Sequence, residues 1–177
     1  MAIEIRPLRE TDERTTFRSG DPDLDRFFAR YAGQNQFRHH TGTTYVAAEG
    51  ERVLGYATIA AGNVEGDALP APARRKAPRY PLPVLRLARL AVDAAARDRG
   101  VGSALLRHVF LLALKMSEDY GCVGILVDAK ADAVELYARV GFSRLEISEG
   151  GIESRPSPTP MFLPLDLVAA ALAPGSR

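Results

Sequence analysis

A turn that follows a predicted strand carries residue types suited to holding an anion. It has the pattern Arg97-x-x-Gly100-x-Gly102, and an amphipathic helix begins within it. The glycines remove side chains where the helix starts, so several backbone N–H groups point outward at the positive end of the helix dipole. Such a cradle suits a phosphate or pyrophosphate, and the arginines add charge and forked donors beside it. The residues predicted to bind the anion are Arg97, Arg99, Gly100, Val101, Gly102 and Ser103.

This pattern differs from both common nucleotide-binding loops. The dinucleotide fingerprint has three spaced glycines and a later acidic residue, and the Walker loop ends in Gly-Lys followed by Ser or Thr. A helix-capping turn that merely contains glycine fits the isolated pattern as well as an anion site does. Motifs elsewhere in the chain are needed to decide between these two interpretations.

A tyrosine lies on the apolar side of a helix predicted over residues 131–140. Tyr137 follows Ala133 by four residues and precedes Val140 by three. By itself this spacing is typical of a core tyrosine. A phenol, whose ordinary pKa is about 10, can also donate a proton to a departing thiolate.

A basic segment interrupts the predicted sheet between residues 64 and 83. Its prolines exclude a central strand, so we predict an irregular surface loop with one basic turn. Cations of this kind contact RNA phosphates, although a solvated charged face is the alternative. Arg89, on the following strand, has a competing structural role beside Asp93 or a carbonyl. The candidate RNA-binding residues are Arg74, Arg75, Lys76, Arg79, Arg86 and Arg89.

The elements that would position these residues alternate between strands and helices. A strand over residues 84–92 leads into the glycine turn, a helix spans residues 100–119, and a buried strand follows over residues 122–128. Thr11 and Asp12 are predicted to cap a short helix, Asp21 or Asp23 a helix through about Gln36, and Asp166 a C-terminal helix. Residues 148–158 are expected to form a mobile loop. The pattern predicts one mixed domain of α/β type, without internal repeats.

The composition limits the classes of function. The chain has 177 residues, of which 46% are hydrophobic and 25% charged, so it can form a packed core. A net charge of +1 is too small to argue for nucleic acid without a local cluster. A single cysteine, Cys122, excludes an internal disulfide and favours the cytoplasm. We expect no signal peptide, membrane segment or metal site.

Two motifs in this order give the chain a resemblance to the GNAT N-acetyltransferase family. They are the Arg97–Gly102 turn and the run Tyr137-Ala-Arg-Val-Gly141-Phe142. The resemblance implies a V-shaped mixed sheet of six to seven strands flanked by helices. It also implies that acetyl-CoA lies between the strands over residues 84–92 and 122–128. Tyr137 then becomes the candidate proton donor to the coenzyme sulfur.

The resemblance also assigns the strand before the glycine turn to the coenzyme. Its edge would pair with the amide-rich pantetheine arm, much as an added strand does. In the family, a backbone N–H of this strand also reaches the thioester oxygen, and such a donor lowers the barrier by roughly 3–4 kcal/mol. The residues concerned are Leu90, Ala91 and Val92.

A narrower resemblance is to the acetyltransferase toxins of toxin–antitoxin pairs. It is carried by Phe17-Arg18-Ser19-Gly20, Leu24-Asp25, Gly55-Tyr56, and the run from Tyr80 to Asp93. These toxins acetylate the α-amine of aminoacyl-tRNA and thereby block translation. The resemblance implies an antitoxin partner of the ribbon-helix-helix type and a homodimer.

The acceptor stays open at this point. No convincing general base is present, which favours an α-amine because its pKa of about 8 leaves much of it neutral. A small amine or a protein N-terminus is a second acceptor class. A non-catalytic acyl-CoA-binding module is the alternative outside the enzymes.

Overall fold

A computed structural model of the chain describes residues 2–145 and 158–174. The chain forms two compact units, each built from two separate segments. The first unit comprises Met1–Ala60 and Leu87–Val109, and the second comprises Ala61–Arg86 and Phe110–Arg177. The units are treated one at a time below.

Strands and helices alternate, as expected for the predicted mixed class. The strands are β1 (Glu4–Pro7), β2 (Thr43–Glu49), β3 (Arg52–Val64), β4 (Leu82–Val92), β5 (Gly124–Ala129), β6 (Ser143–Arg144) and β7 (Thr159–Pro164). The helices are α1 (Pro22–Arg30), α2 (Ala71–Arg74), α3 (Val101–Asp119), α4 (Val134–Val140) and α5 (Leu165–Leu172). In the described residues the sheet has seven strands in the order β1-β2-β3-β4-β5-β7-β6, which confirms the predicted mixed sheet.

An aromatic cluster forms the core of the first unit. Helix α1 starts because Asp21 accepts hydrogen bonds from the N–H groups of Asp23 and Leu24, as predicted for its cap. The helix buries Phe27 and Phe28, and the Phe28 ring stacks on Tyr56 with centroids 4.5 Å apart. This packing fixes α1 against β3.

The glycine in the middle of β3 is required by close packing, as its position in a strand predicted. A Cβ on Gly55 would lie 2.8 Å from Val101 Cγ1 and 2.9 Å from the Ala91 carbonyl oxygen. The first turn of α3 therefore lies directly on β3, and no side chain fits between them.

The second unit has its own apolar cluster and two left-handed glycines. Its buried residues include Val84 on β4 and Phe162 on β7. Gly121 ends α3 with φ +106°, and Gly141 ends α4 with φ +118°, as predicted for glycine helix caps. Strand β7 pairs antiparallel with β5.

Several predicted local elements are wrong. Asp12 caps no helix, because its carboxylate forms a two-pronged ion pair with Arg6 at 2.7 and 2.8 Å. Helix α1 ends at Arg30, and a π-helix over Gln34–Arg38 follows it. Asp166 lies in the first turn of α5, whose N-cap is Pro164. The basic segment includes the short helix α2, and the predicted mobile loop, except Pro158, lies outside the described residues.

Within the described residues no helix has the length and apolar character needed to cross a lipid bilayer. The same residues contain no group of three or more His, Cys, Asp or Glu side chains that could hold a metal ion.

Burial of His108 makes the stability of the first unit depend on pH. Its Nε2 atom is enclosed without a hydrogen-bond partner among the described residues, and its ring packs on Tyr45 at 4.6 Å. Burial lowers the pKa of His108. The unfolded chain, with an ordinary histidine pKa of about 6.5, therefore takes up a proton that the folded chain resists.

We expect stability to be constant above about pH 6.5 and to fall as the pH drops towards the lowered pKa of folded His108. The slope stays below about 1.4 kcal/mol per pH unit, the limit for one proton, because solvent reaches part of the ring. Urea unfolding at pH 7.5 and 5.5 measures this loss. His108→Gln should reduce it, whereas His39→Gln at an exposed position should not; equal losses in both variants would contradict the assignment.

Candidate functional site

The predicted anion loop has the backbone conformation that an N–H cradle requires. Asp98 and Gly100 adopt φ values of +63° and +76°, and the Ala104 N–H makes the first helical bond, to the Gly100 carbonyl. The N–H groups of residues 101–103 precede that bond and have no acceptor within the helix. A Cβ on Gly100 would meet nothing within 4 Å, so no neighbouring group crowds this residue. Unbonded N–H groups at the start of a helix are the donors by which proteins commonly bind a phosphate group, so the loop keeps the features on which the prediction rests.

The two arginines of the loop are occupied by protein partners, unlike the free cations that the sequence predicted. Arg97 donates from Nη2 to the Ser19 carbonyl at 2.6 Å. Arg99 pairs with Glu49 at the end of β2 and holds the pKa of that carboxyl below its usual range. Arg97 thus anchors the loop to the chain before α1, and Arg99 is neutralised in this structure.

A network of hydrogen bonds around Asp93 supports the anion loop. The Asp93 carboxylate accepts from the N–H groups of Arg18 and Ala95, at 3.1 and 2.9 Å. The Ala94 N–H returns a bond to the Arg18 carbonyl at 2.8 Å. Asp25 in turn accepts from both the N–H and the hydroxyl of Ser19. These bonds fix the position of Arg18 and Ser19, and the Ser19 carbonyl is the acceptor for Arg97.

Sequence analysis did not assign a function to this network. Phe17–Gly20 and Asp25 contributed only to a family resemblance, and Asp93 was otherwise considered only as a partner of Arg89. The sequence signal that could have indicated the network is the group of polar residues next to Gly20. This glycine adopts a left-handed conformation, with φ +97°. Their partners lie far along the chain, so spacing alone could not pair them.

Substitution of Gly20 tests the link between this network and the loop. A Cβ at Gly20 would lie 3.1 Å from Arg97 Nη2, in a conformation that is strained for any residue but glycine. Because the family resemblance predicts that this loop binds acetyl-CoA, we expect Gly20→Ala to raise the KM for acetyl-CoA about three- to tenfold with kcat unchanged. The reason is that a charge-assisted hydrogen bond, worth roughly 1.5 kcal/mol or more, is weakened. Steady-state kinetics and calorimetric titration with coenzyme A measure the change.

Gly121→Ala is the matched control, because Gly121 is also left-handed, at φ +106°, but follows α3 in the second unit. It should cost similar stability and leave the acetyl-CoA KM alone. Equal KM values in the two variants would show that the Arg97 anchor does not shape the coenzyme site.

Strand β4 presents its predicted coenzyme residues in different environments. Ala91 is buried in the aromatic core, while Leu90 and Val92 are half-buried. The Asp93 N–H bonds the Leu54 carbonyl at 2.8 Å, so the end of β4 is fixed to β3. The strand is therefore held rigidly up to the anion loop.

Arg89, predicted to lie nearer the cleft than the basic segment, packs on an aromatic ring of the first unit. Its guanidinium carbon lies 3.8 Å from the centre of the Phe27 ring, within the first unit. A cation over an aromatic face is stabilised by the ring quadrupole. This contact supports the competing prediction that Arg89 has a structural role.

Tyr137 is buried on α4 in the second unit, with only 5% of its surface exposed. Its ring packs edge-on against Phe142 at 5.4 Å. Burial raises the pKa of Tyr137 to about 12, so the phenol is fully protonated near neutral pH. No hydrogen bond from its hydroxyl is found in the described part of the chain. The hydroxyl proton is thus not donated to any group of the described residues.

The basic segment forms an exposed turn of the second unit. Residues 74–76 and Arg79 are exposed and line or adjoin a cleft of about 510 Å³ that also contains Glu65 and Asp67. A Cβ on Gly66 would lie 2.6 Å from the Pro78 carbonyl oxygen, so the segment folds closely on itself. Arg86 lies outside this turn and pairs with Asp128 at 2.6 Å. Four of the six predicted RNA-binding cations are therefore together.

Comparison with known proteins gives one family and a set of related structures. Residues 40–144 match the acetyltransferase (GNAT) domain model. A tRNA-acetylating toxin of Mycobacterium tuberculosis is 33% identical over 132 residues, which are 75% of this chain and 78% of that protein.

Three solved structures share the fold across nearly the whole chain. AtaT complexed with acetyl-methionyl-tRNAfMet has a TM-score of 0.82 at 23% identity and covers 97% of this chain and 100% of its own. A tyrosine-to-phenylalanine mutant of KacT has a TM-score of 0.81 at 23% identity, with 97% and 100% covered. A tyrosine-to-phenylalanine mutant of the toxin AtaT, bound to the C-terminus of the antitoxin AtaR and acetyl-CoA, has a TM-score of 0.76 at 20% identity, with 97% and 99% covered.

Proposed function

This chain belongs to the acetyltransferase (GNAT) family, and from that premise we propose that it is a toxin that acetylates the α-amine of aminoacyl-tRNA. The observation that carries the proposal is the 33% identity to a tRNA-acetylating toxin over three quarters of the chain. An N-acetylated aminoacyl-tRNA has no free amine for peptide bond formation, so its accumulation blocks translation.

Acetyl-CoA is the co-substrate, and we assign its pyrophosphate to the anion loop. The uncrowded Gly100 and the first-turn amides, which have no acceptor within the helix, support this assignment. Backbone groups of Leu90, Ala91 and Val92 pair with the pantetheine amides in this proposal. Arg99 reaches the coenzyme phosphates only by leaving Glu49, so its contribution to affinity is reduced by that exchange.

We assign proton donation to Tyr137. The acceptor amine forms a C–N bond to the acetyl carbon, the C–S bond breaks, and the sulfur takes the proton of the Tyr137 hydroxyl. Water removes a proton from the new ammonium group and returns one to the phenolate. The raised pKa keeps the donor protonated, and the hydroxyl has no competing acceptor among the described residues. Structures of the related KacT and AtaT were solved with a tyrosine replaced by phenylalanine, which supports the choice of a tyrosine here.

The acceptor class follows from two properties of the chain. The sequence offers no convincing general base, and an α-amine with a pKa of about 8 needs little beyond a water relay. A lysine side chain, at about 10.4, would need more help. The exposed basic segment offers the phosphate contacts that a tRNA requires.

Incubation of the purified protein with acetyl-CoA and charged tRNA tests the proposal. We expect mass spectrometry of the nuclease-released aminoacyl-adenosine to show one added acetyl group. Free amino acids, polyamines and peptides with free N-termini are the comparison acceptors. Acetylation of any of these without acetylation of aminoacyl-tRNA would overturn the proposal.

We further propose an antitoxin of the ribbon-helix-helix type, a homodimeric assembly and action in the cytoplasm, where charged tRNA is found. The related AtaT toxin binds the C-terminus of its antitoxin AtaR. Expression of this chain alone should arrest growth, and co-expression of a neighbouring small ribbon-helix-helix protein should restore it. Light scattering of the purified protein measures the assembly.

A further inference from the structure

The chain that follows α1 forms a basic surface in the first unit. From Arg26 to His40 the sequence contains three arginines, two histidines and no aspartate or glutamate. We propose that this surface, here called the α1-end surface, is a second contact for the phosphate backbone of tRNA. The inference rests on the proposed function and adds a contact that the basic segment does not supply. The surface consists of Arg30, Tyr31, Arg38, His39 and His40, all of them exposed.

The arginines of this surface are not neutralised by carboxylates of the described residues. Neither Arg30 nor Arg38 makes an ion pair within the described residues. By contrast, Arg6, Arg86 and Arg99 are each paired with a carboxylate. An unpaired arginine keeps its full charge and its forked donors for a ligand phosphate.

The surface is also held in shape before any ligand binds. Gln36, within the π-helix, accepts from the Thr44 N–H at 2.8 Å and donates to the Leu8 carbonyl at 3.1 Å. The Thr41 N–H bonds the Asn35 carbonyl at 3.0 Å, and His40 adopts the uncommon φ of +54°. π-Helical turns occur often at functional sites. A preformed surface loses little conformational entropy when it binds.

The two arginines mark the ends of this stretch. Arg30 is the last residue of α1 and Arg38 the last residue of the π-helix, and both are exposed, as is Gln34 between them. Tyr31, which follows Arg30 in the chain, is 46% exposed. An exposed aromatic ring can stack on an unpaired base, and single-stranded ends of RNA offer such bases. The partner that fits is thus a tRNA with both a phosphate backbone and an unpaired end.

The double variant Arg30→Gln with Arg38→Gln tests the proposal. Fluorescence anisotropy with uncharged tRNA at several salt concentrations measures binding independently of catalysis. We expect a Kd about tenfold or more above wild type, and a salt slope of log K reduced by about 1.5 to 2, the value for two lost phosphate contacts. The KM for aminoacyl-tRNA should rise in parallel, while kcat and the acetyl-CoA KM stay unchanged. Arg107→Gln, an exposed arginine on α3, is the control and should change none of these values.

Tyr31→Ala provides a second test that leaves the charge unchanged. It should weaken tRNA binding about fivefold without altering the salt slope, and Tyr120→Ala, at a position 73% exposed, should not. Wild-type tRNA affinity and salt slope in the double arginine variant would overturn the inference. If that variant instead fails only to bind a co-expressed antitoxin, the surface serves a protein partner and the inference is wrong. Loss of tRNA binding in the variant, with no acetylation by the wild type, would uphold the surface and overturn the proposed function.

Discussion

Replacement of Tyr137 by phenylalanine is expected to lower kcat about 100- to 1,000-fold. General acid catalysis by a positioned side chain typically contributes this much, and the variant removes only the hydroxyl. The ring packing on Phe142 is retained, so the KM values for acetyl-CoA and aminoacyl-tRNA should stay within about twofold. Stopped assays of coenzyme A release at saturating substrates measure the effect.

Two measurements separate catalysis from a structural role for Tyr137. Urea unfolding should show little loss of stability in Tyr137→Phe, because the hydroxyl has no partner in the described part of the chain. Because burial raises the pKa of Tyr137 to about 12, wild-type kcat should show no alkaline loss from this group up to about pH 10. Tyr120→Phe, at an exposed position, is the control. An unchanged kcat in Tyr137→Phe would show that Tyr137 is a core residue without a role in proton donation.

Neutralising the basic segment should reduce tRNA acetylation roughly 100-fold at physiological salt. The variant is Arg74→Gln, Arg75→Gln and Lys76→Gln, which removes three exposed cations of one turn. Each lost phosphate contact removes nearly one unit from the salt slope of log K, so the slope should fall by between 2 and 3. The effect should appear in kcat/KM for aminoacyl-tRNA, with hydrolysis of acetyl-CoA or transfer to a small amine unaffected.

A control with the same change in charge tests whether location matters. Arg107, Arg139 and Arg144 are exposed, and their triple replacement by glutamine also removes three positive charges. It should lower kcat/KM for aminoacyl-tRNA by less than threefold. Similar losses in the two triple variants would mean that net charge, and not the basic segment, determines tRNA binding.

The sequence by itself determined the features that depend on neighbouring residues. The left-handed caps at Gly121 and Gly141, the N-cap at Asp21 and the helix start after Gly100 all follow from interactions within a few positions. Gly55 was also predictable, because a glycine inside a strand weakens it and is typical of a place where another part of the chain packs closely. The family resemblance also came from local motifs, and the match over residues 40–144 confirms it.

Tertiary structure alone decided where the arginine side chains go. Arg97 bonds the Ser19 carbonyl 78 positions away, Arg99 pairs with Glu49 across 50, and Arg89 lies over Phe27. A long flexible cation takes the strongest acceptor that folding brings within reach, and spacing along the chain does not indicate which acceptor that is. The raised pKa of Tyr137 has the same origin, because desolvation depends on everything packed around the ring and not on its neighbours in sequence.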